Sequence, residues 1–361
     1  MARIYNFGAG PGMLPEEVLK QAQAEILDWH DTGVSIMEVG HRGPEFKGVA
    51  EQAEADLREL MDIPKNYRVI FTTGGATAHF AMVPMNLLGN KKAADYIDTG
   101  IWSKKAIAEA QRYGNINIAA EVQKEPLIHI PKQKEWKLNK DAAYVHYTPN
   151  ETIEGIEFNW IPETGDVPLV ADMSSMILSR PIDVSKYGII YAGAQKNMGQ
   201  SGITAAIIRE DLLQEPLPGT PTLYHYKVQA ENGSLYNTPP TYSWYISGLV
   251  YAWMKRKGGV KHFAEVNQRK AKKLYAAIDS QKHFYINNID PECRSRMNVV
   301  FDIVKPELVE KFLQSAKEEG LGYLRGHRLA GGLRASIYNP MPEEGVDALV
   351  AFMKDFAQKH G

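Results

Sequence analysis

The stretches Val167-Pro-Leu-Val-Ala-Asp-Met-Ser-Ser175 and Gly188-Ile-Ile-Tyr-Ala-Gly-Ala-Gln-Lys-Asn197 decide how this chain folds. Each is a short apolar run that leads to a charged residue, Asp172 in the first and Lys196 in the second. Unbroken apolar runs of this length suit strands covered on both faces, as in a parallel sheet between helix layers. Such a sheet delivers the side chains at its strand ends to a crevice outside it. Outward from these two runs, strand-like segments at 69–73, 96–98, 144–147, 169–171, 189–192 and 203–208 alternate with helix-like ones. The alternation predicts an α/β fold with a mostly parallel sheet flanked by helices.

The flanks extend the pattern. Residues 16–29 follow Pro15 and carry Val18, Ala22, Ile26 and Trp29 at helical spacing, which predicts one helix over the whole segment. Helices are also expected at 46–60 and 242–257, the second stopped by Gly258-Gly259. From there the pattern changes to helix 260–278, strand 298–303, helix 307–319, strand 333–337 and a closing helix. This predicts a large domain over 16–257 and a smaller C-terminal α+β domain over 258–361.

Composition sets bounds. At 361 residues the chain exceeds one ordinary core, so two domains are expected. With 44% hydrophobic and 23% charged residues and a net charge of −2, it reads as a soluble protein with no global pull towards nucleic acid or membrane. No apolar run is long enough to span a bilayer, and the start shows no signal-peptide core. The single cysteine, Cys293, cannot form an internal disulfide and fits a reducing, cytoplasmic location. No metal-ligand pattern stands out.

A Lys and an Asp at neighbouring strand ends can do one job together. The Lys amine condenses with an aldehyde, and the Asp keeps a pyridine nitrogen protonated so that the ring accepts electrons. Pyridoxal phosphate chemistry needs that pair. Taken alone, the two residues read more readily as a structural ion pair or as solvated loop charges. Val69-Ile-Phe-Thr-Thr-Gly-Gly-Ala-Thr-Ala-His-Phe80 reads as a strand, a Gly-rich turn and a helix start. Its free N–H groups would suit a phosphate, or the glycines serve only the turn. Trp102, just past the strand-like Ala94-Asp-Tyr-Ile-Asp-Thr-Gly100, suits stacking on a flat ring or simple packing.

An ordered set of motifs from residue 5 to 339 resembles the class V aminotransferases of pyridoxal-phosphate fold type I. They are Tyr5-Asn-Phe-Gly-Ala-Gly-Pro-Gly-Met-Leu-Pro15, Glu38-Val-Gly-His-Arg42, Gly74-Gly-Ala76, Pro149-Asn-Glu-Thr-Ile-Glu-Gly155, Ala192-Gly-Ala-Gln-Lys-Asn197, Tyr236-Asn-Thr-Pro-Pro240 and Gly331-Gly-Leu-Arg-Ala-Ser-Ile-Tyr-Asn339. Each motif alone is weak; their order is specific. The resemblance implies amino transfer from L-glutamate to 3-phosphohydroxypyruvate in serine biosynthesis, by a cytoplasmic homodimer with shared sites. It alone implies that an N-terminal arm, 1–15, packs on the smaller domain. Some bacterial members also transaminate a four-carbon phosphohydroxy keto acid on the way to pyridoxine, and the sequence does not separate the two uses.

The resemblance also implies roles. Lys196 holds pyridoxal 5'-phosphate and moves the substrate Cα proton, Asp172 pairs with the ring nitrogen, Trp102 stacks on the ring, and Thr152 hydrogen-bonds the cofactor's ring oxygen or another nearby polar atom. Ala76, Thr77 and Gln195 hold the cofactor phosphate, joined by Asn237 and Thr238 from a second subunit. Without the resemblance, Asn237-Thr238-Pro239-Pro240 is an ordinary turn. Substrate anions call for planar cations, since Arg offers two parallel hydrogen bonds to a carboxylate or phosphate. Arg334 is expected on the α-carboxylate, and His41, Arg42, His327 and Arg328 on the phosphate or the distal carboxylate of glutamate.

The chain departs from some relatives at two points. Thr77 stands where some carry Arg, so no guanidinium is expected there, and Gly8-Ala9 replaces a Ser-Ser pair, leaving only backbone at residue 9. Three rival readings are set aside. A cysteine desulfurase needs a mobile nucleophilic cysteine, which Pro291-Glu-Cys-Arg-Ser295 does not resemble. An alanine or glyoxylate aminotransferase needs no second anion clamp. A non-catalytic pyridoxal-phosphate or partner-binding protein would not need Lys196 together with every ring contact.

Overall fold

The computed structural model describes residues 3–328 and 330–361. Strand β1 (Tyr5–Asn6) precedes helices α1 (Glu16–Ala24) and α2 (Pro44–Met61). Next come β2 (Tyr67–Thr72), α3 (Gly75–Leu87), β3 (Ala93–Asp98), α4 (Ile101–Ala110), β4 (Asn115–Glu121) and β5 (Val145–Tyr147). A hairpin, β6 (Asn150–Glu151) and β7 (Ile156–Glu157), leads to β8 (Leu169–Asp172), β9 (Ile189–Gly193) and β10 (Thr204–Arg209). Then follow α5 (Tyr226–Glu231), α6 (Thr241–Arg256), α7 (Gly259–Asp279), β11 (Tyr285–Ile286), β12 (Asn298–Ile303), α8 (Val309–Glu318), β13 (Leu321–Gly322), β14 (Leu333–Ser336) and α9 (Glu343–His360).

Seven strands form the main sheet in the order β2-β10-β9-β8-β5-β3-β4. The pairs from β9 through β8, β5 and β3 to β4 are parallel, and β10 runs antiparallel to both β9 and β2. The sheet is thus mixed, mostly parallel and covered by helices, an α/β arrangement. Alternation within strands explains its two cores. In β9, Ile190 and Ala192 join the core that holds Phe46 of α2 and Trp244 of α6. Ile189 and Tyr191 join the other, against Phe80 of α3 and Ile107 of α4. Trp244 is buried edge-on to Phe46, with ring centroids 5.7 Å apart, and lies 4.6 Å from the Phe71 ring. Burying such a side chain contributes on the order of 2–3 kcal/mol.

A third core gathers β12, β14, α7 and α9. Tyr5 and Asn6 pair in parallel with Leu321 and Gly322, and Phe7 is buried in that core. The helix predicted over 16–29 is shorter than expected. It ends at Ala24, because Ile26 and Leu27 face solvent and no buried stripe continues past Ala22. His30 and Asp31 take positive φ, and the Trp29 N–H bonds the Val34 carbonyl (2.9 Å), turning the indole back into the core. Among the described residues, no helix is long and apolar enough to cross a membrane, and no group of three or more His, Cys, Asp or Glu side chains is placed to hold a metal ion.

Candidate active site

Strands β8 and β9 lie side by side and deliver their ends to one crevice. Asp172 closes β8 and is buried; its Oδ1 accepts from the Ser174 backbone N–H (3.0 Å) and hydroxyl (2.6 Å). The Gly193 N–H donates to the same Ser174 hydroxyl oxygen (3.0 Å), tying the ends of the two strands together. Burial raises the Asp172 carboxyl above its usual range, against the pull of Lys196 and Ser174.

Lys196 follows β9 in a turn and is buried. Its Nζ donates to Thr152 Oγ1 at 2.6 Å and lies 5.1 Å from the centroid of the Trp102 ring. Burial pulls its ammonium down to about 8; Asp172 and Glu151 oppose that shift, and Arg334 adds to it. A buried amine titrating there releases a neutral nucleophile far more readily than a free Lys. The N-terminal arm crosses this turn. The Gly12 N–H bonds the Gln195 carbonyl at 2.7 Å, and a Cβ on Gly12 would lie 3.1 Å from the Lys196 carbonyl.

Arg334, on β14, donates from Nη1 to the Thr152 carbonyl at 3.3 Å. Its Nε and the Trp102 indole Nε1 are buried and have no hydrogen-bond partner among the described residues. His327 and Arg328 lie on the loop before β14, with Arg328 exposed. Burial lowers the His327 pKa, and the charges of Arg334, Lys105 and Arg328 lower it further. These cations therefore share one neighbourhood.

At the Gly-rich turn, the helical hydrogen bonds of α3 begin from the Ala78 N–H to the Gly74 carbonyl (3.3 Å). The N–H groups of Gly75, Ala76 and Thr77 are left without intrahelical acceptors, as a phosphate site requires. Gly74 has φ +91°, a left-handed conformation that favours glycine. Thr77 is exposed, and Gln195 is half-buried. A buried amine, a buried acid, a flat indole and a free helix start fit pyridoxal phosphate, and the two orphaned N–H donors are further polar capacity for an anionic ligand.

His41 and Arg42 stand in another group. Arg42 Nη2 is 3.4 Å from the Tyr236 carbonyl, next to Asn237 and Thr238. Asn237 lines a narrow crevice with Thr72 and Thr73, while its Nδ2 donates to the Thr238 carbonyl (3.0 Å). Among the described residues, no hydrogen bond or ion pair joins Arg42 to Lys196, Thr152 or Arg334. The structure thus joins Lys196 to Thr152 and Trp102 and Arg334 to Thr152 by contact, couples Asp172 to Lys196 by charge, and sets Arg42 beside Asn237 and Thr238.

Sequence reading missed several neighbours. Glu151 and Glu154 accept hydrogen bonds from the N-terminus of α4, the helix that carries Trp102. Asn197 Oδ1 accepts from the Asn339 N–H (2.9 Å), and the Tyr338 hydroxyl donates to the Ala9 carbonyl (2.7 Å). These residues, and Ser174, lie inside the quoted stretches, whereas Lys105 does not, so for all but Lys105 a signal was present without a role attached.

The profile of the family described as Aminotransferase class-V matches residues 4–349. The chain is 58% identical over 358 residues to a phosphoserine aminotransferase of Hahella chejuensis (strain KCTC 2396), covering 99% of each. The structure superposes with a TM-score of 0.96 on the phosphoserine aminotransferase of Bacillus circulans subsp. alkalophilus, at 46% identity and 99% coverage of each chain. A pyridoxal-phosphate-bound phosphoserine aminotransferase from Trichomonas vaginalis gives 0.93 at 42% identity, covering 98% of this chain and 100% of that one. The chain belongs to the class V aminotransferases, among the phosphoserine aminotransferases. Like them it is a pyridoxal-phosphate-dependent transaminase of fold type I.

Proposed function

We propose that this site moves the amino group of L-glutamate to 3-phosphohydroxypyruvate, giving O-phospho-L-serine and 2-oxoglutarate. The observation that carries this is the buried Lys196 amine beside Thr152, the Trp102 ring and Asp172, with Arg334 one residue's reach away. Pyridoxal phosphate, when bound, supplies an electrophilic carbonyl and an electron-accepting ring. Lys196 holds it and, once freed, takes and returns the Cα proton at Nζ. Asp172, fixed by Ser174, keeps the proton on the ring nitrogen, while Trp102 covers one ring face and Thr152 orients a polar group on its edge. The free N–H groups of Ala76 and Thr77, with Gln195, bind the phosphate.

Arg334 orients the α-carboxylate that every substrate carries. His327 and Arg328 receive the second anion. His41, Arg42, Asn237 and Thr238 complete the site from a second copy, in a cytoplasmic homodimer. Support comes from their separate grouping within one chain. The same reading divides the chain into 16–257 and 258–361, with the arm 1–15, of which residues 1 and 2 lie outside the described residues, on the smaller part; the β1–β13 pairing supports it. A four-carbon phosphohydroxy keto acid on the pyridoxine route has the same two anions and suits the same clamp.

The test is a panel of phosphorylated and unphosphorylated keto acids with glutamate as donor. Losing one charge-assisted contact costs about 1.5–3 kcal/mol, or roughly tenfold to a hundredfold in kcat/KM. Arg42→Ala and Arg328→Ala should lose that much on the phosphorylated acids and far less on the others. Arg334→Ala should lose it on both. Equal losses on the two substrate classes in the Arg42 and Arg328 variants would show that the clamp does not read phosphate.

A further inference from the structure

Two acidic side chains that the reaction does not use meet at the start of α4. Glu151, fully buried, accepts from the Ser103 N–H through Oε1 (2.9 Å) and from the Trp102 N–H through Oε2 (3.2 Å). Glu154 Oε1 accepts from the Ile101 N–H (2.8 Å). Three orphan donors of the helix are thereby satisfied from one hairpin loop. Between the two lies Gly100: a Cβ there would lie 2.8 Å from the Glu151 carboxyl carbon and closer still to the Glu154 carboxyl. The carboxyl groups are therefore close neighbours. The remaining oxygen, Glu154 Oε2, is buried and has no hydrogen-bond partner among the described residues.

Two carboxylates in one buried site do not both ionise cheaply. An acceptor left unpartnered in such a site costs about as much as a lost hydrogen bond. One proton removes both costs. We propose that Glu151 and Glu154 hold a single proton between them, with the Glu151 hydroxyl donating to Glu154 Oε2, and that the pair are positioning residues for Trp102. The pair then carries one negative charge, favoured at a helix N-terminus.

The charged groups around the pair come from four elements. Lys196, after β9, and Arg334, on β14, act on Glu151 and Glu154 respectively. Asp98, at the end of β3, raises the Glu154 pKa further, and Lys104 of α4 is paired with Asp98. Lys105, also on α4, lies 4.6 Å from the Trp102 ring centroid. Burial, and next the neighbouring Glu154, push the Glu151 carboxyl upward. At neutral pH the site thus holds one negative charge; at alkaline pH loss of the shared proton adds a second, close to Lys196. A second negative charge favours the protonated form of the Lys196 nitrogen.

This part rests on the reading that Lys196 holds the cofactor, so the experiment separates the two. Glu151→Gln puts an amide N–H where the shared proton lies, so that on the alkaline side the pair cannot gain a second negative charge. Infrared spectra of the holoenzyme at neutral pH should show a protonated-carboxyl band that Glu151→Gln lacks. The pH midpoint of the bound cofactor's absorbance change should fall by roughly half a unit to one unit in Glu151→Gln. The double variant Glu151→Gln/Glu154→Gln has surplus donors facing the α4 N–H groups. It should bind pyridoxal phosphate more weakly than either single variant while keeping its far-ultraviolet circular dichroism. Absence of the band in the unaltered enzyme, an unmoved midpoint in Glu151→Gln, or a double variant as tight as the singles would overturn the proposal. Unchanged cofactor absorbance in Lys196→Ala would instead fault the reading of Lys196, and the infrared comparison would still judge the pair.

Discussion

At the scale of single residues, burial governs what Lys196 does. Its ammonium is pulled down to about 8 chiefly because water is excluded, with Arg334 adding repulsion. The neutral amine is the reactive form, so its fraction grows as pH rises through that value and saturates above it. Capture of pyridoxal phosphate by the cofactor-free protein should therefore accelerate roughly tenfold per pH unit below 8 and level off about one unit above it. Stopped-flow absorbance across this range checks it; an inflection near the value of a free Lys would show that the crevice is wet. Lys196→Ala should abolish turnover and leave no cofactor that borohydride can fix to the protein, with the fold unchanged by circular dichroism. Asp172, Lys196 and Trp102 were legible in the sequence because each stands just past an apolar run. Glu151 and Glu154 were not, because acidic residues in a loop usually read as solvated, and only the fold shows them turned onto a helix start.

At the scale of elements, the central strands and long helices followed their apolar patterns to within two or three residues, β12 to the residue. Two kinds of element escaped. Edge strand β4 has mostly half-exposed or exposed residues, so it carries no continuous apolar run. The expected helix over 16–29 stopped at Ala24 because apolar spacing alone does not say whether Ile26 meets a core. Glycines give a sharper test of which contacts matter. Gly100→Ala places a methyl against both Glu151 and Glu154, pushing them off the α4 N–H groups. It should cost about 1–3 kcal/mol in denaturant unfolding and loosen the cofactor with Trp102. Gly48→Ala lies inside α2, exposed, with nothing within 4 Å of the added Cβ. It should stabilise by about 0.5–1 kcal/mol. Equal effects at the two positions would mean that the carboxyl pair yields freely and does not anchor α4.

At the scale of the whole molecule, the candidate site residues fall into two groups within one chain. Arg334 acts on Lys196, and His327 and Arg328 lie near Arg334, whereas Arg42 leans on the Tyr236 carbonyl beside Asn237 and Thr238. The segment that leads to Arg42 exposes apolar side chains, with Leu27 at 84% and Met37 at 50% of their full exposure, and Tyr236 at 42%. Apolar surface beside unused site residues fits cover by a second copy, whose Asn237, Thr238, His41 and Arg42 would reach this chain's Lys196. Linkage then ties cofactor affinity to assembly: if only the dimer has a complete phosphate site, binding pyridoxal phosphate favours the dimer, and dissociation weakens binding. Dilution followed by sedimentation, with cofactor affinity measured by fluorescence at each concentration, should show the two falling together. A Leu27→Glu/Met37→Glu variant, designed to charge the apolar surface, should shift both curves to higher protein concentration. Asn237→Ala should weaken cofactor binding by about tenfold, one lost hydrogen bond to a charged group, with assembly unaltered. A monomer that holds pyridoxal phosphate as tightly as the dimer would place the whole phosphate site within one chain and remove Asn237 and Thr238 from it.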